Sequence, residues 1–116
     1  MMPNLTTYES RVNYLKNGQT LPGWLPILLK LNDDLTAIDP DYRIVQVKEK
    51  FGGLRYYIES VSKMAELEAV VRVAEAEAAR TCELCGSRAN VSTAPSSTTY
   101  WVKTFCDTCR EENDNA

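Results

Sequence analysis

The sequence predicts an α+β protein in which helices pack on a β-hairpin and a small cysteine-bearing module closes the C-terminal end. Three observations point there. Apolar residues recur at helical spacing in three stretches, two β-rich runs flank Gly52-Gly53, and all four cysteines stand in two C-x2-C pairs, Cys82/Cys85 and Cys106/Cys109. The expected organisation is a body over 1–80, a ribbon over 81–110 and a frayed tail over 111–116. Within the body, helices are expected over about 7–17, 24–38 and 61–80, and the hairpin over about 42–59.

The first helix is signalled by Thr6-Thr7-Tyr8-Glu9, a spacing at which the threonine hydroxyl and the glutamate carboxylate satisfy each other's backbone N–H groups. Tyr8, Val12 and Leu15 follow at helical intervals, and Gly18 marks the stop. The second helix opens after Leu21-Pro22-Gly23. Apolar residues at 24, 27, 28, 31, 35 and 38 form one stripe, with Pro26 tolerable in the first turn. Trp24 reads as a core anchor. Asp39-Pro40 ends this helix, because a residue before proline is pushed out of the α region.

Residues 42–50 and 54–59 read as two strands around Gly52-Gly53. Val45 and Val47 are expected on the inner face, with Tyr42 and Ile44 partly shared, while Gln46, Lys48, Arg55 and Tyr57 are displayed outward and Lys50 sits near the turn. A third helix follows, with Val61, Met64, Leu67, Val71, Ala74 and Ala78 on one stripe. Its alanine-rich end admits a second helix at close range, from this chain or from another copy, so a homodimer is compatible with it.

The cysteine pairs carry the clearest chemistry. Two C-x2-C pairs with twenty residues between them match a four-cysteine zinc pattern, and Zn²⁺ in structural sites takes four thiolates in a closed tetrahedron. The expected cofactor is one structural zinc on Cys82, Cys85, Cys106 and Cys109. Runs 89–94 and 99–105 read as the strands of a ribbon between the two knuckles, and a module this small rarely folds without a metal or a disulfide. Two other chemistries compete for the cysteines. Structural disulfides need an oxidising compartment, yet Met1-Met2-Pro3-Asn4 leads into polar residues rather than a signal peptide. Redox pairs want a strand-to-helix context and a polarised thiolate. Arg80, Arg88, Lys103 and Arg110 lie near the ligands in sequence, where their charge can offset a four-thiolate centre.

Composition narrows the function. Among 116 residues, 44% are hydrophobic and 25% charged, with a net charge of −3 and no histidine. No apolar run is long enough for a membrane span, and cytoplasmic residence is the expectation. The modest negative charge argues against broad electrostatic capture of nucleic acid, but residues 43–58 carry a local +3 and residues 107–116 a local −3. The first of these marks a candidate binding surface: Lys48, Lys50, Gly52, Gly53, Arg55 and Tyr57, suited to a phosphate or acidic group with an aromatic ring beside it. Ordinary solvated charge explains the same residues without a ligand. A catalytic role is not expected. The chain offers no serine with a visible base and no H-x-E ahead of a cysteine pair, as zinc deaminases require.

The run Tyr42-Arg43-Ile44-Val45-Gln46-Val47-Lys48-Glu49-Lys50-Phe51-Gly52-Gly53-Leu54-Arg55-Tyr56-Tyr57, preceded by Gly23-Trp24-Leu25-Pro26 and followed by the cysteine pairs, resembles small uncharacterised proteins of bacteriophages and prophages. The resemblance spans residues 23–109. It implies a phage accessory protein acting in the bacterial host cytoplasm, and a non-enzymatic role in binding a host protein such as a defence or takeover target. It transfers no residue roles. Nucleic-acid or nucleotide binding through the basic hairpin and the ribbon is the alternative function.

Overall fold

A computed structural model describes residues 5–18, 21–96 and 100–114. In chain order these form α1 (Tyr8–Asn17), a single 3₁₀ turn (Pro22–Trp24), α2 (Leu25–Ile38), β1 (Arg43–Lys50), β2 (Gly53–Glu59), α3 (Met64–Ala78), β3 (Val91–Pro95), β4 (Val102–Cys106) and α4 (Asp107–Asp114). The fold is α+β. Strands β1 and β2 make one two-stranded antiparallel sheet, and β3 and β4 make a second.

The start of α1 falls one residue later than the capping-box spacing suggested. Thr7 is the N-cap, and Ser10 completes the reciprocal pair at 3.1 Å in both directions. The carbonyl of Thr6 is instead taken by the Arg11 guanidinium. Trp24 is fully buried, and its indole N–H donates to the Thr81 carbonyl at 2.9 Å. Helix α2 packs against both α1 and α3, while α1 lies along β1 and α3 along β2. One apolar core results, running from Leu15 and Trp24 through Leu28, Leu31 and Leu35 to Ile44, Val47, Tyr56, Leu67 and Val71.

The inner face of β1 differs from the simple alternation read in the sequence. The ladder runs Ile44↔Ile58, then Gln46↔Tyr57 and Val47↔Tyr56, with an irregularity between Ile44 and Gln46. Val45 is the extra residue, so the strand changes phase there and Ile44 and Val47, not Val45 and Val47, point inward. The outward set, Gln46, Lys48, Arg55 and Tyr57, is as expected. The turn is also displaced. Lys50 pairs with Gly53, leaving Phe51-Gly52 as the two-residue loop with φ of 55° and 80°, the doubly positive geometry that suits a tight hairpin.

Helix α3 is shorter than the periodicity implied. Ser60 accepts the Lys63 N–H and donates to Asp39, which fixes residues 60–63 as a turn and leaves Val61 in solvent. The ribbon strands start later than expected, since Tyr100 has a positive φ of 63° and β4 begins only at Val102. The tail correction is larger. Residues 107–114 form a helix rather than fraying, because Arg110 donates to the carbonyls of Ser92, Ala94 and Lys103 and lies over the Phe105 ring. Residues 115–116 lie outside the described residues.

One buried group escaped the sequence reading. Arg11 has no solvent exposure, and all five of its N–H donors are used: Asn32, the Thr6, Tyr42 and Pro40 carbonyls, and Thr36. Tyr42 stacks 4.2 Å beneath the guanidinium and shares Asn32 Oδ1 with it. Burial pushes the Tyr42 hydroxyl up to about 12. Arg11 sits four residues before Leu15, so helical spacing placed it on the buried face.

Candidate metal centre and recognition face

After α3 the chain turns through Thr81 into the first knuckle. Cys82 N–H donates to the Ser87 carbonyl at 2.8 Å, and Gly86 N–H donates back to Cys82 at 3.0 Å, closing the Cys82–Cys85 turn. The second knuckle is built differently. Cys106 ends β4, Cys109 lies in the first turn of α4, and the Cys109 N–H points at Cys106 Sγ at 3.4 Å. Strand pairing of β3 with β4, from Val91↔Cys106 to Pro95↔Val102, brings the two knuckles together.

The four sulfurs lie within 4.8 Å of one another, and Cys85 Sγ and Cys106 Sγ are 3.6 Å apart. A tetrahedral site with metal–sulfur bonds of about 2.3 Å needs sulfurs roughly 3.8 Å apart. All four cysteines are free of disulfides, three are buried, and Cys85 faces solvent. The set fits a single metal ion with every coordination position filled by sulfur. Burial opposes the Cys82 thiolate, but N–H groups of Cys85, Cys106 and Leu84 outweigh it and bring the thiol down to about 7. Cys109 is pushed up, by burial first and then by its neighbouring thiols. A coordinating dication deprotonates such thiols outright.

The ribbon is bolted to the body at two places. At the first, Gly23 N–H donates to the Glu83 carbonyl at 2.9 Å, and a Cβ on Gly23 would fall 2.1 Å from the Cys82 carbonyl oxygen. Only glycine fits beneath this knuckle. At the second, Thr104 on β4 donates its hydroxyl to the Gly52 carbonyl at 2.6 Å. A Cβ on Gly52 would lie 2.9 Å from Thr93 Cγ2. Beside this contact Lys103 bridges two carboxylates, Glu49 of β1 and Glu83 of the first knuckle. Burial raises the pKa of Glu83, although the Thr104 N–H and Lys103 hold its charge.

The expected site residues therefore part company. Cys82, Cys85, Cys106 and Cys109 converge. Lys48, Lys50, Arg55 and Tyr57 share the outward face of the β1–β2 hairpin. Gly52 does not join them: it is buried against the ribbon, where its freedom serves the chain's own packing, and Gly53 is a strand residue opposite Lys50. Arg80, Arg88, Lys103 and Arg110 were expected to offset a thiolate centre. Arg88 pairs with Glu77, Lys103 with Glu49 and Glu83, and Arg110 with backbone carbonyls. Glu49 and Glu83 were not singled out from sequence, and Lys103, expected to offset the thiolates, bridges these two carboxylates instead. A glutamate between two cysteines gives no signal that its side chain turns inward.

These features define an α+β protein whose C-terminal four-cysteine ribbon carries a metal-compatible thiol cluster. No helix among the described residues is long and apolar enough to cross a membrane. Comparison with protein-family models, with curated proteins and with solved structures finds no match.

Proposed function

We propose that the chain is a zinc-stapled, non-enzymatic interaction module of a bacteriophage, acting in the host cytoplasm by binding a host protein. The supporting observation is the sulfur cluster itself. A four-sulfur set leaves no open coordination position for water or substrate, which is the arrangement of structural rather than catalytic zinc. Glu49 and Glu83, which flank a cleft with Leu21 and Leu84, are held by Lys103 and by the N–H groups of Gly52 and Thr104. They are engaged in joining ribbon to body rather than poised for proton transfer.

What the zinc holds out is an aromatic tip. Tyr100 and Trp101, immediately before β4, are 81% and 70% exposed, and such residues are the usual anchors of protein interfaces. Affinity capture from a bacterial lysate should recover a stoichiometric partner with the wild-type chain and lose it with Trp101→Ala. Recovery of nothing, or of the same proteins by both forms, contradicts the reading.

A further inference from the structure

The outer face of the β1–β2 hairpin is a different surface from the ribbon tip, with a different chemistry. Over residues 46–57 it carries three cations, Lys48, Lys50 and Arg55, and no anion, because the one carboxylate of this stretch, Glu49, faces the other side and is held by Lys103 and the Gly52 N–H. Lys48 and Arg55 are directly opposed in the ladder. Like charges in that position destabilise a hairpin, and among the described residues no carboxylate pairs with Lys48, Lys50 or Arg55. The next outward pair along the ladder, Arg43 and Glu59, is by contrast closed by its own salt bridge at 2.6 Å. The cations without an ion pair are thus confined to the half of the face nearest the turn.

Aromatic rings share that half. Tyr57, opposite Gln46, is 43% exposed, with the Lys48 ammonium 5.8 Å from its ring centre. Phe51, at the turn, is 71% exposed, with the Lys50 ammonium 5.7 Å from its ring centre. A phenylalanine held at positive φ in the loop has no place in the core, and it extends the row of rings beyond the strands.

Cations set between two exposed rings on one hairpin face match a chain of phosphates with bases that are free to stack. An acidic peptide satisfies the cations but leaves the rings without a partner. A duplex satisfies the phosphate contacts but hides its base faces. We infer that the outer face of the hairpin binds single-stranded nucleic acid, with Lys48, Lys50 and Arg55 on phosphates and Tyr57 and Phe51 stacking on bases.

The test is fluorescence anisotropy of the zinc-loaded full chain with labelled oligothymidylate and oligouridylate of about 20 nucleotides, longer than the roughly 4–16 that one small stacking fold occupies. The same oligothymidylate in duplex form and polyglutamate serve as the competing polyanions. Binding to at least one single strand should exceed binding to both competitors. Three phosphate contacts predict a log–log salt dependence with a slope of about −2. Lys48→Glu and Arg55→Glu should each weaken binding about ten-fold or more and flatten that slope. Tyr57→Ala should weaken it about ten-fold with the slope unchanged, because stacking releases no counterions. Lys30→Glu, which makes the same charge change on α2, should bind as wild type, and circular dichroism reports that each variant is folded. Duplex or polyglutamate binding equal to the single strands, an unchanged affinity in folded Tyr57→Ala, or no binding at all each overturns the assignment.

Discussion

The body and the ribbon are held by different physics. The body has a continuous apolar core from Leu15 to Val71, sealed around a buried arginine. Among the described residues the ribbon's buried apolar set is Phe105 and three of the four cysteines, with Leu84 and Val91 at its margin. Burial at about 25 cal/mol per Å² accounts for the first and cannot sustain the second. The lesson is that a metal-compatible sulfur cluster stands where the ribbon lacks a core, and the two bolts at Gly23 and Gly52 fix it to the body.

Breaking the sulfur cluster should separate the two regions most completely. Cys106→Ser is expected to dissolve β3, β4 and α4 while leaving α1–α3 and the first hairpin folded. The loss is of order 10 kcal/mol at the ribbon, the scale of structural zinc binding, and backbone NMR should show it as selective collapse of resonances from residues 81–114.

Gly23→Ala tests the first bolt. With only 2.1 Å to the Cys82 carbonyl, the new methyl must push the knuckle away from Trp24. A loss of about 3 kcal/mol is expected, read by urea unfolding, and with it slower re-formation of the metal site after chelation.

Alkaline pH probes the body first and then its junction with the ribbon. The Tyr42 hydroxyl is raised from 10.0 to about 12, so the folded chain keeps a proton that the unfolded chain releases. Stability is then full below pH 10 and falls as pH rises from 10 toward 12, by about 1.4 kcal/mol per pH unit for this group. Lys103, whose ammonium is opposed by burial but held by Glu49 and Glu83, also keeps its proton more tightly when folded and adds a loss in the same direction above 10.5. Tyr42→Phe should make the decline between pH 10 and 12 shallower by one proton.

Arg88 should matter least. Its bridge to Glu77 crosses from the first knuckle to α3 in solvent, and Arg88→Ala is expected to cost about 0.5 kcal/mol or less by thermal unfolding.

Much of this architecture was legible in the residues. Helical stripes placed α1, α2 and α3, and the C-x2-C spacing located the sulfur cluster, because both are local periodicities. The outward set Gln46, Lys48, Arg55 and Tyr57 was also readable. The shift at Val45 was not, since a bulge depends on how the partner strand is held and leaves no mark in a run of β-formers. The two bolts were hidden for a related reason. Gly23 and Gly52 read as turn glycines, and what demands them is the Cys82–Gly86 backbone for the first and Thr93, Lys103 and Thr104 of the ribbon strands for the second, which meet them only in the folded chain. Glu83 and Lys103 look like surface charges until β4 lies beside the first knuckle. The α4 helix was missed because its stabilising contacts, from Arg110 to three carbonyls, are tertiary.

The most direct measurement is metal content and thiol titration on the same purified sample. One zinc per chain, with four thiols that become reactive only as a chelator removes it and with the ribbon's NMR signals lost in step, is the expected result. Metal-free protein with four reactive thiols and an intact ribbon would mean that something other than a metal ion holds Cys82, Cys85, Cys106 and Cys109 together.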